Sequence, residues 1–188
     1  MKQIRSKTGI RKVFKEYKDL RNDIKLVILL QDWNDPYNVG GMFRVADAVG
    51  ASELILTGTT PQVGESPQLA VTSMGAHRRV HHSYVPRPLD ACAQMKAEGY
   101  SLIAVEVAEG AEHYMTFDYP EKCCLVLGSE GAGVYGSVMK QCDGAVFVPM
   151  AGKGRSLNVH VAAAIVAFEV MLRLDQTDQG PTEQPETE

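Results

Sequence analysis

Hydrophobic positions along the chain follow two alternating periods. Residues 25–31 (KLVILLQ) are a continuous apolar run, the pattern of a strand buried on both faces. Residues 53–57 (ELILT), 100–107 and 123–127 repeat it, and 79–85 and 145–148 read as shorter strands. Between these runs the spacing turns helical. Residues 39–49 carry apolar side chains at helical spacing and stop at Gly50, a residue suited to a helix C-cap. Residues 88–98 open on a proline and end before Gly99, 134–141 form a short helix, and 156–173 form a long one that is apolar nearly all round. Ahead of the first strand, Ile10, Val13, Phe14 and Tyr17 sit at helical spacing and predict one more short helix. Residues 32–38 and 58–68 are rich in turn formers and read as loops. Strands alternating with helices predict an α/β domain with a mostly parallel sheet flanked by helices.

Charge divides the chain in a way its total of −4 hides. Residues 1–25 hold nine basic and three acidic side chains, 26–173 ten basic and fifteen acidic, and 174–188 five acidic and none basic. The reading is therefore a basic arm (1–24), one domain (25–174) and an acidic, proline-containing tail (175–188) whose composition predicts disorder. A basic arm on an acidic body has to be weighed locally, so the net charge argues neither for nor against nucleic acid. The sequence has no apolar run long enough to span a membrane and no apolar segment behind its N-terminal charges, and Cys92, Cys123, Cys124 and Cys142 lack C-x-x-C spacing. A reduced, cytoplasmic protein without a membrane partner is expected.

Ligands of parallel α/β sheets bind beyond the C-terminal strand ends. Three segments that follow strands are rich in glycine or polar residues: 32–44, 128–136 and 149–158. The second contains Gly131-Ala-Gly133-Val-Tyr-Gly136, formally G-x-G-x-x-G. A dinucleotide reading fails because residues 151–156 hold no acid for a ribose and too little chain follows for a full βαβαβ half. Gly152-Lys153-Gly154 is no P-loop either, lacking the glycine five residues before and a following Ser/Thr. Residues 74–82 gather two arginines and three histidines without companions of metal-site geometry, so no metal is expected there.

In order, the three segments read N-x-G-x-x-x-R (Asn38 to Arg44), G-S-E-G-x-G (Gly128 to Gly133) and P-M-x-G-x-x-x-S-L-N-V (Pro149 to Val159). Together they resemble the three motifs of the SpoU/TrmH-type SPOUT RNA methyltransferases, and the resemblance spans about residues 25–173. It implies an enzyme that moves a methyl group from S-adenosylmethionine to a ribose 2′-hydroxyl of RNA. It also implies a C-terminal deep trefoil knot, which pattern reasoning would never propose. The cofactor would sit in the knot, and the active site would form at a homodimer interface. Stand-alone members of this size mostly act on tRNA, so tRNA is preferred over rRNA.

Carried over by position, the cofactor contacts fall on Gly128, Val148 and Leu157, with Leu127 and Met150 lining the pocket. The catalytic set is Arg44, Asn38, Glu130, Ser156 and Asn158. Arg44 holds the phosphate beside the ribose and stabilises charge on its 2′-oxygen; acting instead as the base would require strong desolvation or a phosphate proton relay, because a guanidinium stays protonated. On the helical reading it lies less than two turns in. Asn38 orients the loop or caps the helix, Glu130 orients Arg44 or a backbone N–H, and Ser156 is the natural N-cap of the last helix. Arg78, Arg79, Lys153 and Arg155 are candidate RNA contacts beside the arm. His160 departs from the family, which often has serine two residues after the asparagine, and it is not assigned a catalytic role. The alternative, an inactive RNA-binding or assembly protein with the same fold, is disfavoured by the complete set of site residues.

Overall fold

The structure, a computed structural model, describes residues 3–15, 25–154 and 156–178, with side chains to residue 174. Strands β1 (Lys25–Gln31), β2 (Glu53–Thr57), β3 (His82–Val85), β4 (Ser101–Val105), β5 (Glu112–His113), β6 (Lys122–Leu127) and β7 (Gly144–Phe147) form one sheet in the order β3-β2-β1-β6-β4-β7-β5. Every neighbouring pair is parallel. The helices are α1 (Lys7–Val13), α2 (Pro36–Val49), α3 (Pro67–Ser73), α4 (Pro88–Ala97), α5 (Gly136–Met139) and α6 (Val159–Asp178).

Strand β1 has paired strands on both sides and cores on both faces, so a continuous apolar run is what it must be. On one face Leu26, Ile28 and Leu30 pack against Met42, Phe43 and Ala46 of α2 and Ala163, Val166 and Val170 of α6. On the other, Val27 and Leu29 meet Ala91 and Met95 of α4 and Val138 of α5. Successive strand residues face opposite ways. Adjacent Cys123 and Cys124 are therefore divided between the two cores. All four cysteines are free thiols. Burial pushes Cys123 and Cys142 up to about 12, which keeps them protonated and unreactive at neutral pH. No helix among the described residues is long and apolar enough to cross a membrane.

Late strands enter between earlier ones: β6 lies between β1 and β4, and β7 between β4 and β5. This interleaving brings the C-terminal ends of β1, β6, β4 and β7 side by side, and the three glycine and polar segments of the sequence leave from β1, β6 and β7.

Several boundaries differ from expectation, each for a local reason. Helix α2 begins at Pro36 rather than residue 39, because Asp35 caps it by accepting from Tyr37 N while proline fills the first turn. Asn38 is thus inside the helix and not its cap, and Arg44 lies more than two turns in. Helix α6 begins at Val159, and its cap is Asn158, whose Oδ1 accepts from His160 N at 3.0 Å, rather than Ser156. Helix α3 and the two-residue β5 fall where no element was expected; α3 is short, and a proline at its start made its opening look like loop. The expected arm helix is present as α1, with no buried residue and with Ile10, Val13 and Phe14 exposed. Tyr17 and the acidic tail from residue 179 lie outside the described residues.

Candidate active site

Beyond the ends of β4, β6 and β7 lies a cavity of about 760 Å³, lined by residues 105–107, 128–130, 133, 147–150, 156–159 and 162. That volume falls in the range of small-molecule and cofactor sites. Gly128, Val148, Met150 and Leu157 line it, together with Glu130, Ser156 and Asn158. Leu127 does not. It ends β6 in the core beneath, 1% exposed, and its carbonyl accepts from the buried Trp33 indole at 3.2 Å.

The loop after β6 folds back on itself, with Gly133 N donating to Ser129 O at 2.9 Å. Two side chains from flanking strands hold it there. Gln31, fully buried at the end of β1, donates through Nε2 to Gly133 O at 3.0 Å and accepts through Oε1 from Tyr135 N at 2.8 Å. Glu106, just beyond β4, accepts from Val134 N at 3.0 Å and from Val107 N at 2.9 Å. Neither residue was singled out in the sequence. The signal they left is a polar side chain ending an otherwise apolar strand run, KLVILLQ and SLIAVE. The G-x-G-x-x-G segment is this clamped turn, and the helix after it, α5, is four residues long. Gln31→Leu keeps the bulk but leaves Gly133 O and Tyr135 N without their partners. A loss of about 2 kcal/mol is expected, since each such group costs roughly 1–3 kcal/mol when buried and unpaired. Urea denaturation measures it; an unchanged midpoint would show that the loop holds itself.

Across the rim, four polar side chains form one network. Asn158 Nδ2 donates to Glu130 Oε1 at 2.8 Å and to Asn38 Oδ1 at 3.2 Å. His160 Nδ1 lies 2.9 Å from the same Asn38 oxygen. Glu130 therefore holds Asn158, whereas the sequence reading gave it Arg44 or a backbone N–H. Arg44 is exposed and makes no hydrogen bond or ion pair among the described residues, leaving its guanidinium available to a ligand. A smaller cleft of about 240 Å³ adjoins the network, lined by Trp33, Asn34, Asp35, Asn38, Gly131 and, shared with the cavity, Ser129, Glu130 and Val159.

The candidate RNA contacts are dispersed. Arg79 is tied to Asp47 of α2 by two hydrogen bonds, 2.6 and 3.2 Å, and Arg78 is exposed on the neighbouring turn. Lys153 is exposed on the loop after β7, and Arg155 lies outside the described residues. Of the three histidines in that cluster, His77 and His82 pack edge-on against buried Phe43, so much of the cluster is structural.

Residues 25–168 match the model of the SpoU rRNA Methylase family. The tRNA (guanosine(18)-2′-O)-methyltransferase of Thermus thermophilus is 33% identical over 149 residues, 79% of this chain and 75% of that one. A 23S rRNA (guanosine(2553)-2′-O)-methyltransferase of Bacillus subtilis is 34% identical over 145 residues, 77% of this chain and 57% of that one. The crystal structure of the SpoU methyltransferase AviRb from Streptomyces viridochromogenes in complex with the cofactor AdoMet superposes with a TM-score of 0.74 at 28% identity, covering 84% of this chain and 60% of that one.

Proposed function

Because the chain belongs to the SpoU rRNA methylase family, we propose that it methylates a ribose 2′-hydroxyl of RNA with S-adenosylmethionine as donor. One observation carries this reading: a cavity of cofactor size is walled by two of the three motif segments and opens on the network to which Asn38 of the third belongs.

The residues present fit the donor. Gly128 offers backbone without a side chain, Val148, Met150 and Leu157 give apolar walls, and Glu106 and Glu130 put carboxylates on a cavity that would take a cation. S-adenosylmethionine, when bound, supplies an electrophilic methyl group on a positively charged sulfur. The protein supplies position and charge. Glu130 and Asn38 hold the Asn158 amide, and Asn158 in turn starts α6 at the rim. Arg44 donates to the phosphate or the 2′-oxygen of the target nucleotide and lowers the cost of charge there. Fixing hydroxyl and donor together contributes much of the rate.

We take tRNA as the preferred substrate over rRNA. Both kinds of enzyme occur among the relatives, and the tRNA enzyme is the one this chain covers more completely. The arm, residues 1–24, is assigned to RNA grip with Arg78, Lys153 and Arg155, and the tail, 175–188, to solubility. A homodimer is supported by α6, where Val161, Phe168 and Leu172 stay about two-fifths exposed along one apolar stripe opposite the face packed on the sheet. A trefoil knot is supported by the interleaved entry of β6 and β7. The reaction suits the cytoplasm, where RNA and donor meet.

Calorimetry with S-adenosylmethionine tests the reading, with micromolar binding expected. Mapping 2′-O-methyl nucleosides by mass spectrometry in RNA from a strain lacking the gene should then show one missing methylation, in tRNA. Absence of donor binding would turn the protein into an RNA-binding or assembly factor.

A further inference from the structure

Helix α2 carries one base and one acid, Arg44 and Asp47, three residues apart. Side chains at that spacing are neighbours on a helix surface, so these two are placed to pair with each other. They do not. Arg44 has no partner among the described residues, and Asp47 is held by Arg79. Arg79 Nη2 donates to Asp47 Oδ2 at 2.6 Å and Nε to Oδ1 at 3.2 Å, a fork that takes both carboxylate oxygens. The remaining nitrogen, Nη1, donates to Gly75 O at 3.3 Å. Each of the three guanidinium nitrogens thus has a partner inside the protein, which leaves Arg79 little to offer RNA directly.

The position of Arg79 comes from the core below it. It closes a short 3₁₀ turn, Ala76–Arg78, entered through Gly75 at φ +82. Ala76 and Val80 are buried in one core with Phe43 and Ala46 of α2, and His77 packs edge-on against Phe43. Apolar packing therefore sets the turn on α2 without help from the ion pair. Arg79 itself is half-exposed, and a pair so open to water adds little stability. What the pair does change is the charge beside Arg44.

Building on the methyltransferase reading, we propose that Arg79 is a positioning residue of the reaction: it occupies and neutralises Asp47, and so keeps the Arg44 guanidinium free for the RNA. Without Arg79 the carboxylate turns to Arg44, its neighbour three residues back. The guanidinium must then leave that pair before it can meet a phosphate or a 2′-oxygen, and an uncompensated negative charge stands where an anionic backbone has to approach. Donor binding is untouched, since neither Arg79 nor Asp47 lines the cofactor cavity.

A cycle of Arg79→Gln, Asp47→Asn and the two together tests this in the full chain. Single-turnover transfer from S-[methyl-³H]adenosylmethionine to subsaturating total RNA of a strain lacking the gene should be about fivefold slower in Arg79→Gln, the scale of a surface ion pair. Calorimetric affinity for the donor should not change. Asp47→Asn and the double variant should transfer within about twofold of wild type. The double variant lacks the link between turn and helix just as Arg79→Gln does, so a merely structural role would leave it equally slow. Phenylglyoxal labelling without RNA reads Arg44 itself. Its adduct, quantified by mass spectrometry against that of Arg11, should form about threefold more slowly in Arg79→Gln and regain the wild-type rate in the double variant. A double variant as slow as Arg79→Gln, or Arg44 labelling that Arg79→Gln leaves unchanged, overturns the proposal. A wild type that binds no donor and methylates no RNA marks the failure of the methyltransferase reading itself, and the proposal falls with it whatever the labelling shows.

Discussion

Arg44→Ala is expected to bind S-adenosylmethionine within about twofold of wild type and to transfer its methyl group more slowly on the order of 10³-fold. The side chain does not line the cofactor cavity, so donor affinity has no reason to change. Nor does it support the fold: it is exposed on α2 and no described residue binds it. A guanidinium exposed on a helix and left unpaired is suited to a ligand's oxygens, through a fork of donors that fits phosphate. Its worth is greatest where charge develops in the transition state, which places the loss in kcat rather than in donor binding. Arg44→Lys keeps the charge without the fork and should recover only part of the rate. Calorimetry and single-turnover transfer on the same preparations separate the two effects. Full transfer by the alanine variant would remove Arg44 from the catalytic set and leave the family assignment standing.

What could be read in advance depended on what each residue answers to. Strands such as β1 answer to two cores at once, and the run KLVILLQ shows that without help from the rest of the chain. The three site segments were equally legible, since glycine and polar residues behind buried strands have few other uses. Caps were less so. Asp35 and Asn38 are both good N-caps, as are Ser156 and Asn158, and only the folded geometry decides between them. The pairing order of the sheet was not legible at all, because β6 and β7 reach positions set by the packing of strands laid down before them. The clamps escaped for the same reason: Gln31 and Glu106 matter for a loop about a hundred and about thirty residues away, respectively, which nothing local announces. His160 was visible as a departure from the family pattern. Its partner Asn38 lies 122 residues earlier, so that contact needed the fold.

Gly128→Ala is expected to abolish useful donor binding, with affinity reduced by a factor on the order of 10²–10³, and to destabilise the fold by about 1–3 kcal/mol. A Cβ at this position would stand 2.0 Å from Gly133 C and 2.2 Å from both Gly133 O and Val134 N. All three are backbone atoms, so no side-chain rotation relieves the overlap. Nor can the far side of the loop retreat freely. Gly133 O is held by Gln31, Val134 N by Glu106, and Gly133 itself has φ +62. The loop must move as a unit, and moving it breaks one clamp or the other. Its residues 128–130 and 133 are one wall of the cavity, so a shift of about 1 Å misplaces every group that wall presents. The same loop carries Glu130, and its displacement also releases Asn158 at the start of α6. The defect should therefore appear in three readings together: lost calorimetric binding, a lowered urea midpoint, and faster amide exchange at Val134 and Tyr135. Gly131→Ala is the matched control, because a Cβ there meets nothing within 4 Å. If Gly128→Ala bound the donor as tightly as that control does, the folded-back turn would not be what shapes the site.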